Sequence, residues 1–296
     1  MATNDRMTKT QRREEARRQA AELRAKQERE QRRNKIVGIA LVAVAVLAVA
    51  VGIFLLVKQN LDSKKAPTAL PPAPAVADVQ VPSAGDSDLV GIPVSKQGVG
   101  VRAAEEAVVI EVYMDLICPA CAGFEQLQAA ELEALLDPET GRDDVTVVYH
   151  VVATLDRFSL GTNYSARAAN ALSVVADKSP EHFLPFMAAL FDAQPKENTS
   201  GLKDERIAEL AQGAGVPASV TDLFTVTADF KGSPKRLFIP WTAAVTATLP
   251  SEDGRVVTPT ILVNGQPWTD WSAISASDMV KTILGEDIGD LDDGEQ

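Results

Sequence analysis

Val108-Val109-Ile110-Glu111-Val112-Tyr113-Met114-Asp115-Leu116-Ile117-Cys118-Pro119-Ala120-Cys121 is the stretch on which the reading of this chain turns. Val108 to Ile117 reads as a buried strand, and it delivers the only two cysteines of 296 residues to the start of the next element. A pair separated by two residues closes too short a loop to stabilise a fold, because the unfolded-state entropy that a bridge removes grows with loop length. The spacing does put two sulfurs within bonding reach, and Pro119 suits the first position of a helix. The partial positive charge at a helix start favours a thiolate. Disulfide exchange is therefore the chemistry to which the spacing points. Half of a zinc site looks the same, but zinc takes four ligands, and the chain adds only His150 and His182 to the two thiols.

Working outward toward the C-terminus, Ala107 to Met114 is the first clear strand, Pro119 to Leu136 a helix and Val145 to Val152 a β-branched strand. The pattern then turns helical over Tyr164 to Ala176, Pro180 to Ala193, Lys203 to Ala214, Ala218 to Phe230 and Pro234 to Thr248. Val256 to Asn264 reads as a strand closed by Asn264-Gly265, a hairpin turn signal, with Gln266 to Thr269 as its return. Ser275 to Leu284 closes the domain as a helix. The expected class is α/β, with a strand-helix-strand half and a strand-strand-helix half separated by a helical insertion at about 163–248.

Toward the N-terminus, residues 58–103 contain Pro67, Pro71, Pro72, Pro74, Pro82 and Pro93 among Ala, Ser and Gly, the composition of a semi-rigid spacer. Gly91 to Arg102 can hold a short strand where the folded domain begins. Ile36 to Val57 is an uncharged apolar run of 22 residues. As a helix it would span about 33 Å, enough for a bilayer core. Residues 1–35 carry 12 basic against 6 acidic side chains, so the tail stays in the cytoplasm and the chain beyond the apolar run lies outside. A cleaved signal peptide is the competing reading, but the first small-x-small match, Ala75-Val76-Ala77, lies far beyond the membrane edge. An exported location suits a cysteine pair that cycles or persists as a disulfide.

Charge divides along the same line, with 17 basic and 35 acidic residues from position 36 onward. That balance excludes a nucleic-acid-binding surface there. The basic tail has Glu14-Arg18, Glu22-Lys26 and Glu28-Arg32 at helical spacing, a solvated helix for which anionic headgroups are the natural contact. The acidic stretch 286–296 lacks calcium-loop spacing and reads as a solvated tail. No phosphate loop, Ser/His/Asp set or paired-carboxylate site stands out.

Glu111 through Cys121, followed by Thr258-Pro259-Thr260-Ile261-Leu262-Val263-Asn264-Gly265, resembles the DsbA-like branch of the thioredoxin superfamily in its membrane-anchored bacterial form. Tyr149-His150-Val151 resembles it as well. The resemblance implies a thioredoxin fold over residues 104–285 with an inserted helical subdomain, preceded by one transmembrane helix at 36–57. It makes Cys118 the nucleophile and Cys121 the resolving thiol, with Pro119 and Ala120 between them. Thr258 and Pro259 become a cis-proline loop facing the pair. Neither cofactor nor metal is implied. The implied partners are exported cysteine-containing proteins and a membrane redox partner such as a quinone-linked reoxidase.

Two departures limit the transfer. DsbA has histidine where this chain has Ala120, which implies a less stabilised thiolate. Members commonly carry an acidic residue six positions before the nucleophile, where this chain has Val112. Its neighbour Glu111 should face the other side of the sheet by strand alternation. Either a bulge turns Glu111 inward as a proton shuttle or the role passes elsewhere, with Asp115 as the candidate. The direction of electron flow stays open between oxidase, reductase and isomerase. A metallochaperone using the cysteines and a histidine, and a non-catalytic binding module, are the rival classes.

Overall fold

The computed structural model describes residues 73–252 and 254–287. The tail 1–35, the apolar run 36–57, the spacer to residue 72 and the acidic stretch from residue 288 lie outside the described residues. Among the described residues, no helix is long and apolar enough to cross a membrane.

Folded structure begins well before residue 104. Ser83 bonds to Asp177 through both its N–H and its hydroxyl, and Ala84 is buried. β1 (Ile92–Ser95) and β2 (Gly98–Val99) form a hairpin, so the short strand expected within Gly91 to Arg102 is present. The carbonyl of Pro93 accepts from Gly100 on the β2 side, so its donor-less nitrogen faces the short outer strand, where a strand tolerates proline. Gly91 leads into β1 because a Cβ there would come within 2.6 Å of Val148 and 3.0 Å of the His150 ring.

Two strands of mostly β-branched residues form the centre, β3 (Val108–Met114) and β4 (Val145–Val151), paired in parallel in unbroken register from Val108↔Val145 to Met114↔Val151. Every residue of β4 is buried, as a strand covered on both faces requires. α1 (Pro119–Leu136) connects them and buries Cys121, Phe124, Gln128, Leu132 and Leu135 along one stripe.

A helical insertion follows: α2 (Tyr164–Lys178), α3 (Phe183–Asp192), α4 (Asp204–Gly213) and α5 (Ala218–Thr221). Then come the hairpin of β5 (Thr227–Phe230) and β6 (Ser233–Arg236), α6 (Ile239–Thr248), and a small hairpin of β7 (Ser251–Glu252) and β8 (Arg255–Val256). The chain returns through β9 (Thr260–Val263), β10 (Gln266–Pro267) and α7 (Ala276–Leu284). The main sheet has the order β10-β9-β3-β4-β1-β2, with β9 antiparallel to β3. Ser275 caps α7 by accepting the N–H of Asp278, and Gly285 ends it at φ 71°.

The sequence reading merges two helices with what is a hairpin. Residues 218–230 give one turn of α5, a 3-10 turn and then β5, while α6 begins only at Ile239. Lys231 and Gly232 both adopt positive φ, at 49° and 81°, the backbone that a two-residue hairpin turn demands. Asn170 of α2, fully buried, fastens both ends of this excursion. Its amide donates to the Phe224 carbonyl at 3.0 Å, and its oxygen accepts the Phe238 N–H at 2.9 Å. Asn170→Leu leaves the Phe238 N–H without a partner and the Phe224 carbonyl with only the Arg236 guanidinium at 3.3 Å, and should cost about 1 to 3 kcal/mol, read as a lower denaturation midpoint at unchanged slope.

Candidate active site

β3 ends at Met114 and α1 starts at Pro119, so Asp115 to Cys118 form the turn that carries the first sulfur. Cys118 is the helix N-cap with extended backbone, φ −76° and ψ 118°. Its carbonyl accepts the N–H of Cys121 at 3.1 Å and of Ala122 at 3.2 Å, which starts the helix. The Cys118 thiol is pulled down to about 6 from an ordinary value near 9. The largest cause is a hydrogen bond from the Cys121 thiol; burial opposes it, and the Thr258 side chain and the N–H groups of Cys121 and Ala120 add to it. The neutral form has a different partner, since its S–H donates to the Thr258 carbonyl at 3.2 Å. Pro119 and Ala120 are exposed beside it.

Cys121 lies one turn inward and is fully buried. Burial, and then the neighbouring Cys118 sulfur, push its thiol well above the ordinary range. The two sulfurs are thus driven apart, one toward the thiolate and one toward the thiol. The backbone N–H of Asp115 points at the Cys121 sulfur at 3.4 Å. The Asp115 carboxyl is itself fully buried and accepts from the Ser165 hydroxyl at 2.6 Å, Leu155 N at 2.9 Å and Ile117 N at 3.2 Å. The Thr154 hydroxyl stands 3.4 Å from its second oxygen. Burial still raises Asp115 to about 7, and its charge in turn opposes ionisation of Cys121.

The Thr258–Pro259 peptide is cis, and the two residues form the loop that faces Cys118. A groove of about 980 Å³ runs from Pro259 past Val257, Ile261, Leu262, Trp268 and Trp271, with Arg255 as its charged lining residue. Trp271 packs edge-on against Phe124 of α1, with ring centroids 5.5 Å apart. Gln128, buried on α1, holds this wall by donating to the carbonyls of Trp271 and Ile274 and accepting from Ala276 N. Trp241 instead sits in the core of α6.

Glu111 is not brought to the cysteines. No bulge interrupts β3, and Glu111↔Val148 and Tyr113↔His150 share one sheet face. There the Glu111 carboxylate lies 3.3 Å from the Tyr113 hydroxyl and 3.4 Å from His150 Nε2, and His150 holds it below the usual carboxylate range. The His150 contact lacks hydrogen-bond alignment, since Nε2 has no aligned partner. His150 stacks on Tyr113 at 3.9 Å and meets the Val90 carbonyl through Nδ1, so it does not join the cysteines as a metal ligand. Among the described residues, no three His, Cys, Asp or Glu side chains are grouped to hold a metal.

Two further residues carry no sequence signal strong enough to select them. Glu125 follows Cys121 by one helical turn and makes no hydrogen bond with any described residue; burial, then Glu133 and Asp192, raise it to about 7. Gln194, just beyond α3, donates through Nε2 to the Cys118 carbonyl at 3.0 Å.

Comparison with known proteins places these features in context. The family model described as thioredoxin matches residues 98–283. The reduced form of the disulfide bond oxidoreductase DsbG from Mycobacterium tuberculosis is 30% identical, with TM-score 0.51, over 69% of this chain and 90% of that one. Reduced DsbA from the same organism is 29% identical, with TM-score 0.50, over 66% and 93%. The serine/threonine-protein kinase PknE of M. tuberculosis is 32% identical over 147 residues, 48% of this chain. The chain spans about a quarter, 25%, of the length of that curated relative.

Two measurements test the electrostatics. In the reduced protein, thiolate absorbance and alkylation of Cys118 should titrate with a midpoint near 6, while Cys121 stays unreactive through neutral pH. Asp115, raised to about 7, binds its proton more tightly in the folded than in the unfolded chain, so its contribution to stability falls as pH rises from about 4 to 7. Asp115→Asn removes that slope. Its deficit against the parent should therefore shrink across this window in denaturation experiments at a series of pH values.

Proposed function

The chain belongs to the thioredoxin family and, within it, to the DsbA-like thiol-disulfide oxidoreductases, and from that premise we propose that it is a membrane-tethered enzyme that forms disulfides in exported proteins through Cys118 and Cys121. The observation that carries this reading is the opposite displacement of the two thiols within one helical turn, beside the Thr258–Pro259 loop. A thiolate that is stabilised is a good leaving group, and a disulfide that releases one is oxidising.

The reaction starts from the Cys118–Cys121 disulfide. A substrate thiolate attacks the Cys118 sulfur, the S–S bond breaks and Cys121 leaves as a thiolate. Cys121 is then protonated; Asp115, whose backbone N–H touches the sulfur and whose carboxyl, raised to about 7, acts on it through its charge, is the candidate source of that proton. A second substrate thiolate attacks the substrate sulfur of the mixed disulfide and releases Cys118 as the thiolate that its hydrogen bonds favour. Two electrons pass from the substrate dithiol to the enzyme, and a membrane redox partner of the quinone-linked kind removes them. Pro119 and Ala120 are exposed beside Cys118, which is itself only 5% exposed, and the apolar groove beside Pro259 accepts an extended, unfolded client.

The tether is read from composition: residues 1–35 as a basic cytoplasmic tail, 36–57 as a signal-anchor helix and a proline-rich spacer beyond it, with the catalytic domain outside the cell membrane. Residues 286–296 form an acidic extension, of which Glu286 pairs with Arg142 at 2.8 Å. A reductase of the same fold is the second reading, because a Cys118 near 6 lies closer to the thioredoxin value of about 7 than to the DsbA value of about 3.5.

The Cys121→Ser variant should accumulate mixed disulfides between Cys118 and exported proteins, seen as thiol-sensitive adducts on non-reducing gels. Cells that yield no such adducts would sink the proposal. Protease added to intact spheroplasts should remove the catalytic domain and leave a protected N-terminal fragment; full protection would refute the external placement.

A further inference from the structure

The helical insertion reaches the reactive cysteine through one side chain. Gln194 follows the C-cap of α3, where its own N–H is fixed on the Phe191 carbonyl at 3.0 Å. Pro195 comes next and restricts Gln194 to extended backbone, so its side chain is presented from a rigid base. Its Nε2 donates to the Cys118 carbonyl at 3.0 Å, across 76 residues of sequence. That carbonyl belongs to the Cys118–Pro119 peptide, which has no N–H of its own to anchor it. Within the helix, only the N–H groups of Cys121 and Ala122 hold it, sharing one oxygen at 3.1 and 3.2 Å.

The orientation of this peptide matters to the sulfur. The N–H groups of Ala120 and Cys121 favour the thiolate only while ψ of Cys118 stays near its extended value of 118°, which turns the side chain over the first helical turn. Rotation of the Cys118–Pro119 peptide changes ψ directly. The sulfur is held from the other side by Thr258, so Gln194 and Thr258 clamp the two ends of one residue.

We infer that Gln194 is a positioning residue for the reactive thiol: it locks the Cys118–Pro119 peptide and thereby keeps the Cys118 sulfur aligned with the donors that hold it as a thiolate. The insertion then sets the reactivity of the site as well as covering it. This rests on Cys118 being the attacking thiol.

The test is the pH profile of Cys118 alkylation in the reduced full chain carrying Gln194→Met, which keeps bulk and loses the donor, or Gln194→Glu, which keeps shape and presents an ionised acceptor. Alkylation at pH 6 should slow roughly threefold in the Met variant and roughly fivefold in the Glu variant, as the midpoint rises by up to about one pH unit. At pH 9, where the thiolate is fully formed, both variants should react like the parent. General loosening would speed or slow alkylation at every pH, and that pattern overturns the inference. So does an unchanged midpoint in whichever variant melts as a folded protein. A parent thiol that titrates near its ordinary value removes the premise about Cys118 itself, a result distinguishable from failure of the Gln194 role.

Discussion

The nearness of the buried Cys121 thiol to the helix-capping Cys118 drives two identical side chains in opposite directions, one toward a thiolate and one toward a thiol. The division needs both sulfurs within one helical turn and one of them buried more completely than the other, as Cys121 at 0% exposure is against Cys118 at 5%. The turn from β3 into α1 meets both conditions, because Cys118 ends the extended run and Cys121 falls on the inward stripe of the helix. Exchange chemistry follows from that asymmetry: the outer sulfur is the better leaving group, and the inner one needs a proton when it is released.

The rest of the structure serves to hold this turn. The central strands fix Met114, and hence Asp115, by unbroken parallel pairing with β4. The insertion secures the turn from the other side, since Ser165 of α2 bonds the Asp115 carboxyl and Gln194 bonds the Cys118 carbonyl; the Leu155 N–H, between β4 and α2, adds to the first. The return through β9 places Thr258 against the Cys118 sulfur. Three segments distant in sequence therefore converge on four residues, Asp115 to Cys118. A buried carboxyl near 7 is tolerated there because it receives three well-formed hydrogen bonds and can stay protonated.

Much of this was legible in the sequence where local chemistry and tertiary structure agree. β3, α1 and β4 were marked by β-branched runs and by Pro119, and α1 spans Pro119–Leu136 as the pattern gives it. The pairing of Cys118 with the Thr258–Pro259 loop came from the family resemblance, since 140 residues separate the two and no periodicity links them. The hairpin of β5 and β6 lies where the pattern reads as helix, although Lys231-Gly232 followed by Pro234 is turn chemistry. Strand alternation placed Glu111 on the far face correctly. Gln194 could not be found in advance, because a lone glutamine in a loop gains meaning only from the backbone carbonyl that it meets.

The most direct test of the central claim is the reduction potential of the Cys118–Cys121 pair in the full-length protein, equilibrated against glutathione at neutral pH. A thiolate near 6, between the thioredoxin value of about 7 and the DsbA value of about 3.5, predicts a potential between about −270 mV and about −120 mV, more oxidising than thioredoxin. A potential at or below the thioredoxin value of about −270 mV would contradict the account, because it would mark the pair as no more oxidising than a reductase.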